Sequence, residues 1–444
     1  MIERVVIIGG SRAAYAAAFE LRRHKSDCQI VVLEEGQHPG ADVCSIPHRM
    51  MTGMDDFSGL APLSVTELRD RHHIDVRAGQ HVTAVDIDTQ SVVIQEDGRE
   101  HDLTLKYDRL VFATGSRSRR PDAPGADRAS LMAVRTVDHA NRLLASLRDR
   151  PGRHVTVLGG DYITLLVAEA LAMRGTEVTV VTPAEEIFDQ VDPLIGAKVS
   201  EAITKHGVTV RTGEQISGFE SGVVYLKNDA ISCDVVLLGL GAEANTELAR
   251  QAGLGLGHHR AIVTDRRQQT SVENIWAAGD CCESRHLVSG ERGYWPGALS
   301  ADQQGTVAGA NLGDHYAATP GTLGTISTRL FGVEVGRTGL NELDARNAGF
   351  DAGVVTVEGQ SRADTYAGGR PLTVRLTFDR FTGRVLGAEI VGEEGVAAPL
   401  ATAVAAITGE LTTAQVAALD GGHVPSRSAL PSPLTLAATE AREA

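Results

Sequence analysis

The stretch RVVIIGGSRAAYAAAFELRR, residues 4 to 23, starts as an apolar run, passes two glycines and continues as an alanine-rich amphipathic segment. Such a run is typical of a buried parallel strand, and the segment after it is typical of a helix. Gly9 permits the tight turn, while Ser11 and Ala14 stand at the second and third glycine positions of the G-x-G-x-x-G fingerprint. The stretch therefore predicts a Rossmann-like unit whose helix N-terminus offers free amides to a pyrophosphate.

A second apolar run, QIVVLEEG at residues 29 to 36, predicts the next strand of this unit. It leads into Glu34, about 25 residues after Gly9 and near the ~20 expected for an acid that binds an adenosine ribose. A glycine turn between strand and helix often serves packing only, so the motif alone is weak. Dinucleotide binding and simple packing both stay open at this point.

The same pattern returns at residues 154 to 182, HVTVLGGDYITLLVAEALAMRGTEVTVVT, with Gly159 in the turn. Two units of this kind imply two nucleotide sites, or one working site and one remnant. The expected fold class is therefore α/β, with two Rossmann-like dinucleotide-binding domains.

Composition and charge exclude several classes of protein. A length of 444 residues suggests two or three domains. The net charge of −15 argues against nucleic acid and anionic lipid as partners. No apolar run approaches the ~20 residues of a membrane span, and the sequence passes from MIER directly into a strand without a signal peptide. We expect a cytoplasmic protein without a membrane partner.

The cysteines form an odd, scattered set without C-x-x-C spacing: Cys28, Cys44, Cys233, Cys281 and Cys282. This pattern argues against a disulfide framework and against a zinc site, so no metal is expected. A disulfide between the two adjacent cysteines would be strained, which favours small, partly buried thiols there. A chemically active cysteine would act alone.

Further motifs give the chain a resemblance. YDRLVFATGSRSRRPDAPG, residues 107 to 125, carries Thr114 and Gly115, and ENIWAAGD, residues 273 to 280, ends in Asp280. With the second glycine turn about 45 residues after ATG, this skeleton resembles the pyridine nucleotide-disulfide oxidoreductases along almost the whole chain. CSIP, from Cys44 onward, resembles the single-cysteine branch that contains coenzyme A-disulfide reductases, NADH oxidases and NADH peroxidases. NTEL, DQQGTVAGANL and VEVGRTGL agree with the family as well.

The resemblance implies an FAD-binding domain from residues 1–117 and 244–318, an inserted NAD(P)-type Rossmann domain at 118–243 and a C-terminal α+β dimerisation domain at 319–444. A homodimer is thus expected. Residues 370–392, RPLTVRLTFDRFTGRVLGAEIVG, alternate apolar and polar side chains around a turn, which predicts an antiparallel hairpin. A helical segment rich in small apolar residues follows and could pack against a second subunit.

In the family, the aspartate that matches Asp280 holds the ribitol of the flavin. The alternative role for Asp280 is that of N-cap for the CCES turn, and the two roles could coexist. A helix starting near Pro296 would aim its positive end at the flavin pyrimidine.

Cys44 falls where the family places the thiol that faces the flavin. A thiolate needs positive charge or amide dipoles, which a helix after Cys44 or the Arg12 guanidinium could supply, and His48 is close by in the motif. Arg12 stands where NADH peroxidases carry a catalytic histidine, and contact with the FAD pyrophosphate is its equally ranked alternative. Two-cysteine relatives carry C-x-x-x-x-C, but His48 and Arg49 occupy the corresponding positions here. The chemistry would then pass through a mixed disulfide, or through a sulfenate if peroxide is the substrate.

Three further groups are implied by the resemblance. Basic residues on the first helix hold the adenine-phosphate end of coenzyme A in its reductases, and Arg22 and Arg23 lie in that region, although positive charge also suits a solvated helix C-terminus. His423 corresponds to the residue that faces the partner subunit's cysteine, and a histidine suits proton transfer near neutral pH. Tyr366 keeps one member of a tyrosine pair common in the coenzyme A branch, whereas Thr365 departs from it.

The second glycine turn departs from the family at several positions. Asp161 and Thr164 replace the second and third fingerprint glycines, and a carboxylate beside two phosphates is repulsive. Leu166 takes the place of the glutamate that usually meets the nicotinamide, and Thr182 stands where NADH users show an acid. We expect NAD(P)H to be a poor reductant, with a tolerant site as the alternative.

The sequence leaves three candidate functions open. The first is an FAD-dependent reductase of coenzyme A disulfide, or of another small disulfide or persulfide, acting through Cys44. The second is an NAD(P)H oxidase or peroxidase in which Cys44 cycles through a sulfenate. The third is an NAD(P)H-independent flavoenzyme on the same scaffold.

Overall fold

The computed structural model describes residues 2–96, 101–127, 130–148, 152–188 and 190–443. The strands, in chain order, are β1 (Arg4–Ile8), β2 (Gln29–Leu33), β3 (Ile74–Arg77), β4 (Gln80–Asp86), β5 (Ser91–Glu96), β6 (Leu103–Lys106), β7 (Arg109–Phe112), β8 (Ser116–Ser118), β9 (Leu131–Met132), β10 (His154–Gly159), β11 (Glu177–Val181), β12 (Thr209–Arg211), β13 (Ile216–Glu220), β14 (Val223–Leu226), β15 (Ala230–Ser232), β16 (Val235–Gly239), β17 (Ala242–Ala244), β18 (Ile275–Ala277), β19 (Ser284–Arg285), β20 (Arg292–Gly293), β21 (Ile326–Leu330), β22 (Val333–Gly339), β23 (Ala352–Gln360), β24 (Pro371–Asp379) and β25 (Val385–Gly392).

The α-helices are α1 (Arg12–His24), α2 (Ile46–Met51), α3 (Val65–His72), α4 (Val137–Leu147), α5 (Tyr162–Met173), α6 (Pro193–Lys205), α7 (Glu247–Gln251), α8 (Ala298–Leu312), α9 (Glu342–Asn347), α10 (Ala397–Thr408), α11 (Thr413–Ala417) and α12 (Pro433–Glu440). Short 3-10 turns occupy Val43–Ser45 and Ser58–Leu60. Across the described ranges, no helix is long and apolar enough to cross a membrane.

The first parallel sheet has the strand order β18-β7-β1-β2-β3. Strand β1 lies at its centre, and four of its five residues are buried, which accounts for the continuous apolar run in the sequence. The helices α1 and α8 pack closely on this sheet, because glycines of α8 face main-chain oxygens of α1. A Cβ on Gly305 would lie 2.3 Å from the carbonyl oxygen of Ala13, and one on Gly309 would lie 2.3 Å from that of Ala17.

The second parallel sheet repeats this arrangement with the order β12-β11-β10-β16-β9. Its strands all come from residues 131–239, between two parts of the chain that build the first sheet. The chain leaves and re-enters the first unit through β8 and β17, which pair antiparallel with each other. The predicted α/β class with two Rossmann-like units is confirmed, while the domain boundaries at 118, 244 and 319 stay predictions.

The remaining large sheet is antiparallel, with the order β21-β22-β25-β24-β23. The predicted hairpin is confirmed as β24 and β25, paired from Leu372↔Gly392 to Phe378↔Val385. The helical segment after it is also present, but it breaks at Gly409 into α10 and α11. These elements form the C-terminal α+β domain.

Candidate functional site

The first glycine turn packs closely against the neighbouring strand and binds the Glu34 carboxylate. Gly9 has a φ of 105°, and a Cβ there would lie 2.1 Å from the carbonyl oxygen of Ala113 on the neighbouring strand. The Gly10 N–H donates to Glu34 Oε2 at 2.5 Å, and the Gly36 N–H donates to Glu34 Oε1 at 2.8 Å. Burial raises the pKa of the Glu34 carboxyl. Glu34 therefore follows β2 at the edge of the turn, where the sequence placed it.

The N-terminus of α1 is open to an anion. Its N-cap, Ser11, makes no side-chain capping hydrogen bond, and no acidic residue lies in the first turn. The small side chain of Ala14 is fully buried and keeps the helix close to the sheet. Free amides at the end of a helix attract phosphate groups. In the same unit, the buried Tyr15 hydroxyl lies beside Gly40 and has no hydrogen-bond partner within the described chain.

Asp280 marks the far end of the site. Its Oδ2 accepts a hydrogen bond from Ser116 Oγ at 3.0 Å, and its Oδ1 accepts one from the Gly297 N–H at 3.0 Å. Helix α8 begins directly after Gly297, without a capping side chain or an acid in its first turn. The alternative role of Asp280 as a helix N-cap is wrong, because the turn closed by the Cys282 N–H and the Gly279 carbonyl oxygen leads into β19 at Ser284 and no helix directly follows Asp280.

Hydrogen bonds connect the two chain segments that leave and re-enter the first Rossmann unit, between the two ends of the site. Thr114 Oγ1 donates to the Asn245 carbonyl oxygen at 2.6 Å, and Asn245 Nδ2 donates back to the Thr114 carbonyl oxygen at 2.9 Å. Gly115 has a φ of 67° and accepts from the Asn245 N–H. One end of the site has the uncapped N-terminus of α1 and the Glu34 carboxylate. The other end has the Asp280 carboxylate and the open N-terminus of α8. This arrangement fits an extended flavin dinucleotide.

Cys44 lies in the turn just before α2 and is partly exposed. Burial raises the pKa of its thiol, and the Asp42 carboxylate raises it further, while Arg12 and Arg135 lower it. Arg12 lies 3.7 Å from Asp42 and 4.0 Å from Asp302, and half of its side chain is exposed. The expected cation is thus in place, but in the single chain it does not outweigh burial and Asp42.

Sequence reasoning missed Arg135 and Tyr162. Arg135 donates to Ser116 Oγ and Ser118 Oγ, each at 3.1 Å, so it links to the hydroxyl that bonds Asp280. Tyr162 begins α5; burial, and then the nearby Cys44, raise its pKa to about 12. No local motif surrounds Arg135. Tyr162 directly follows Asp161, but nothing in the sequence indicates that Cys44 influences its pKa.

The basic residues proposed for coenzyme A are engaged within the chain. The Arg22 guanidinium donates to the carbonyl oxygens of four residues at the end of α1 and beyond it: Lys25, Ser26, Cys28 and His73. Arg23 is exposed and pairs with Glu20 at 2.9 Å. His48 is exposed on α2. A coenzyme A contact through Arg22 would have to break main-chain bonds, whereas Arg23 and His48 are accessible.

His423 and Tyr366 lie on adjoining exposed loops of the C-terminal domain. The Ala363 N–H donates to the Pro425 carbonyl oxygen at 3.0 Å and ties the two loops together. The His423 ring contacts Ser428 Oγ at 3.5 Å and makes no hydrogen bond to Cys44 within the described chain. A meeting of His423 with Cys44 across a dimer stays a prediction.

The second glycine turn has the same backbone form as the first, but its helix begins differently. Gly159 has a φ of 88°, and a Cβ there would lie 2.4 Å from the Gly239 carbonyl oxygen. Asp161 is the N-cap of α5: its Oδ1 accepts from the Thr164 N–H at 3.0 Å, and its Oδ2 accepts from Thr164 Oγ1 at 2.9 Å. One amide of the helix end that would meet a pyrophosphate is therefore already bound by a carboxylate.

The other cysteines are free and buried. The sulfur atoms of Cys281 and Cys282 lie 3.7 Å apart, so the predicted pair of thiols is present, although both are fully instead of partly buried. Over the part of the chain that the structure describes, no group of histidine, cysteine and acidic residues could hold a metal ion.

Comparison with known proteins agrees with this architecture. The family described as pyridine nucleotide-disulphide oxidoreductase matches residues 3–305, and its dimerisation domain matches residues 326–430. The chain belongs to this family. This pyridine nucleotide-disulphide oxidoreductase is an FAD-dependent enzyme, and its dimerisation domain supports a homodimer.

Relatives of this oxidoreductase carry two kinds of name. An "NAD(P)H coenzyme A polysulfide/persulfide reductase" of Pyrococcus horikoshii is 32% identical over 99% of this chain and 98% of its own length. An "NADH oxidase" of Methanocaldococcus jannaschii is 29% identical over 99% and 98%. Among solved structures, reduced Bacillus anthracis CoADR-RHD is 27% identical with a TM-score of 0.96, and the match covers 100% of this chain and 80% of that one.

Proposed function

We propose that this oxidoreductase reduces a small disulfide or persulfide, such as coenzyme A disulfide, through Cys44. The observation that carries the proposal is the position of this partly exposed thiol. It precedes α2, and the Asp280 carboxylate is among the charges that raise the pKa of its thiol. Within the described residues, no second cysteine sulfur lies within hydrogen-bonding distance of it. A lone thiol of this kind needs a partner sulfur from the substrate.

The reaction balances around Cys44. Its thiolate attacks one sulfur of the substrate R–S–S–R′, a bond forms between Cys44 Sγ and the sulfur of R, and R′–S⁻ leaves and takes up a proton. Bound flavin, once reduced by a two-electron donor, would supply the electron pair that, with two protons, returns the mixed disulfide to the Cys44 thiol and R–SH.

Residues around Cys44 have separate parts in this proposal. Arg12 and Arg135 supply positive charge that lowers the pKa of the Cys44 thiol and offsets part of the opposing effect of burial and Asp42. His423 of the partner subunit would protonate the leaving thiolate. Arg23 and His48, which are exposed, are the accessible contacts for an anionic carrier such as coenzyme A, and Tyr366 lies on the loop beside His423. The cytoplasmic location stays a prediction.

A second candidate follows from the relatives named NADH oxidase. With hydrogen peroxide, the Cys44 thiolate would attack one oxygen, the O–O bond would break, and Cys44 would become a sulfenic acid while hydroxide leaves and takes up a proton. An oxidase would first have to form this peroxide from oxygen, with two electrons from reduced flavin and two protons. The same lone, partly exposed thiol suits this step. The NAD(P)H-independent alternative differs only in the source of the electrons.

A substrate panel tests the proposal. The FAD-loaded enzyme, reduced anaerobically with dithionite, is mixed separately with coenzyme A disulfide, a coenzyme A persulfide, hydrogen peroxide and oxygen, and flavin reoxidation is followed. We expect the sulfur substrates to reoxidise it fastest and Cys44→Ser to lose this reaction by at least about a hundredfold. Cys233→Ala, which removes a buried thiol in the second unit, should react as the native enzyme does.

Two outcomes would overturn it. Faster reoxidation by peroxide or oxygen that still requires Cys44 would establish the oxidase or peroxidase instead. Reoxidation by the sulfur substrates at an unchanged rate in Cys44→Ser would remove this cysteine from the mechanism.

A further inference from the structure

The N-terminus of α5 carries an internal anion. Both oxygens of Asp161 are engaged, one with the Thr164 N–H and one with the Thr164 hydroxyl, and no other acid lies in the first turn. A carboxylate at this position satisfies one of the free amides and neutralises part of the positive helix end. These are the features through which a helix N-terminus binds phosphate.

The same molecule provides two helices for comparison. Neither α1, capped by Ser11, nor α8, capped by Gly297, has a side-chain cap, and neither has an acid in its first turn. Both point their open ends into the site that fits the flavin dinucleotide. Helix α5 begins in the equivalent place of the second unit, yet Asp161 covers its end. A glycine lies at or just before the N-cap of all three helices. The difference between α5 and the other two is therefore its capping residue, Asp161.

The glycines that remain in the second turn are those that the fold itself requires. A Cβ on Gly159 would lie 2.4 Å from the Gly239 carbonyl oxygen, and one on Gly160 would lie 1.6 Å from the Ile187 carbonyl oxygen. The backbone of Asp161, with φ −65° and ψ 143°, accepts any residue. Its position is the one where a dinucleotide needs glycine for close approach of the pyrophosphate. The turn therefore keeps the glycines that the fold requires, but it lacks the glycine that pyrophosphate binding requires.

The third fingerprint position is occupied by Thr164, whose side chain packs against a glycine on the neighbouring strand. Thr164 is buried and its hydroxyl also contacts the Leu238 carbonyl oxygen at 3.1 Å. The facing residue is Gly239, where an added Cβ would lie 3.2 Å from Thr164 Cβ. Gly239 on the strand thus leaves room for the Thr164 side chain on the helix. Asp161 and Thr164 pack together against β16.

Groups that would hold the adenosine end are also occupied. Thr182, directly after β11, is buried, and its hydroxyl accepts from the Ala184 N–H at 3.2 Å. Arg211, opposite the end of β11, is paired with Glu214 and with Asp229, the latter at 2.7 Å. In the described part of this region, these residues present neither a free acid at the strand end nor an unpaired base for a 2′-phosphate.

We propose that Asp161 closes the second Rossmann unit to the pyrophosphate of NAD(P)H. The unit then serves to hold the active-site helix. Ile46 and Met50 of α2 share a buried apolar cluster with Leu165 and Leu166 of α5. This inference concerns binding to the second unit and stands independently of the substrate reduced at Cys44.

Equilibrium binding tests the proposal without turnover. NAD⁺ and ADP-ribose are titrated by calorimetry into the FAD-loaded native enzyme and into Asp161→Gly, Asp161→Asn and Asn341→Gly. Asparagine is a good N-cap, so Asp161→Asn removes the charge and keeps the cap, whereas glycine removes both charge and volume. Asn341→Gly is the matched control, because Asn341 caps α9 through the Asp344 N–H in the C-terminal domain.

We expect no saturation of the native enzyme below millimolar NAD⁺, and tighter binding by at least about tenfold in Asp161→Gly. A gain in Asp161→Asn as well assigns the effect to charge, and a gain in glycine alone assigns it to volume; either result supports the proposal. Saturable native binding at micromolar NAD⁺, or unchanged affinity in both Asp161 variants with FAD retained, overturns it. Asn341→Gly should bind as the native enzyme does.

Discussion

At the scale of single residues, the reactivity of Cys44 depends on a balance of opposing charges. Burial and Asp42 favour the neutral thiol, whereas Arg12 and Arg135 favour the thiolate. Asp42 is itself held by Ser45 Oγ at 2.7 Å and by the Arg12 guanidinium. Because these groups surround one sulfur atom, the change of one charge should move its titration without a change in fold.

Substitutions at two of these positions should shift the pKa of Cys44 in opposite directions. Asp42→Asn removes a negative charge and should lower the pKa of the thiol, so alkylation by iodoacetamide becomes faster at a given pH. Arg135→Gln removes a positive charge and should raise it. The pH dependence of the alkylation rate measures both. Arg117→Gln is the control, since Arg117 pairs with Glu243 on β17 and Glu247 on α7 and is not among the charges that act on Cys44. A shift of both Asp42→Asn and Arg135→Gln in the same direction would contradict this account.

At the scale of elements, the flavin site depends on the close approach of α1 and α8. Their N-termini meet where Arg12 lies 4.0 Å from Asp302. The approach is possible because Gly305 and Gly309 present no side chain to α1. Glycine in a helix is normally unfavourable, so its presence at two positions one turn apart reflects packing.

An alanine at Gly309 should separate the two helices. Its Cβ would lie 2.3 Å from the Ala17 carbonyl oxygen, a main-chain atom that cannot move aside alone. We expect Gly309→Ala to destabilise the protein by about 1–3 kcal/mol and to weaken FAD retention, as measured by thermal unfolding and by the flavin content after gel filtration. Thr306→Ala, at an exposed position of the same helix, should change stability by less than about 0.5 kcal/mol. Equal stability of the two variants would argue against this packing.

At the scale of the whole molecule, the catalytic site is expected to need two chains. Cys44 belongs to the first Rossmann unit, whereas His423 lies on an exposed loop of the dimerisation domain. The resemblance to the family predicts that this loop faces the cysteine of the partner. A site built from two subunits requires the dimer for activity.

Complementation between inactive chains should reveal this arrangement. A Cys44→Ser chain and a His423→Ala chain, mixed in equal amounts and allowed to exchange, form heterodimers in which one of the two sites has both native residues. We therefore expect roughly a quarter of the native activity, because half of the dimers regain half of their sites. Heterodimers carrying different affinity tags would verify exchange. Verified heterodimers without activity would place His423 outside the site.

The sequence alone determined the elements whose signals are local. A strand, a glycine turn and a helix are encoded within about 20 contiguous residues, so both Rossmann units and the C-terminal hairpin could be predicted. Glu34 was placed beside the turn because its spacing from Gly9 follows from the βαβ unit. Cys44 was singled out by resemblance, since a lone cysteine carries no local signal.

Only the tertiary structure decided the surroundings of these residues. Arg135 reaches Ser116 and Tyr162 reaches the neighbourhood of Cys44 through contacts between segments that are far apart in the chain. The sequence showed that Asp161 replaced a glycine, but the structure showed that its carboxylate caps α5 through Thr164. The physical reason is that pKa values and hydrogen bonds depend on distances of a few ångströms, and packing between elements sets these distances across long separations in sequence.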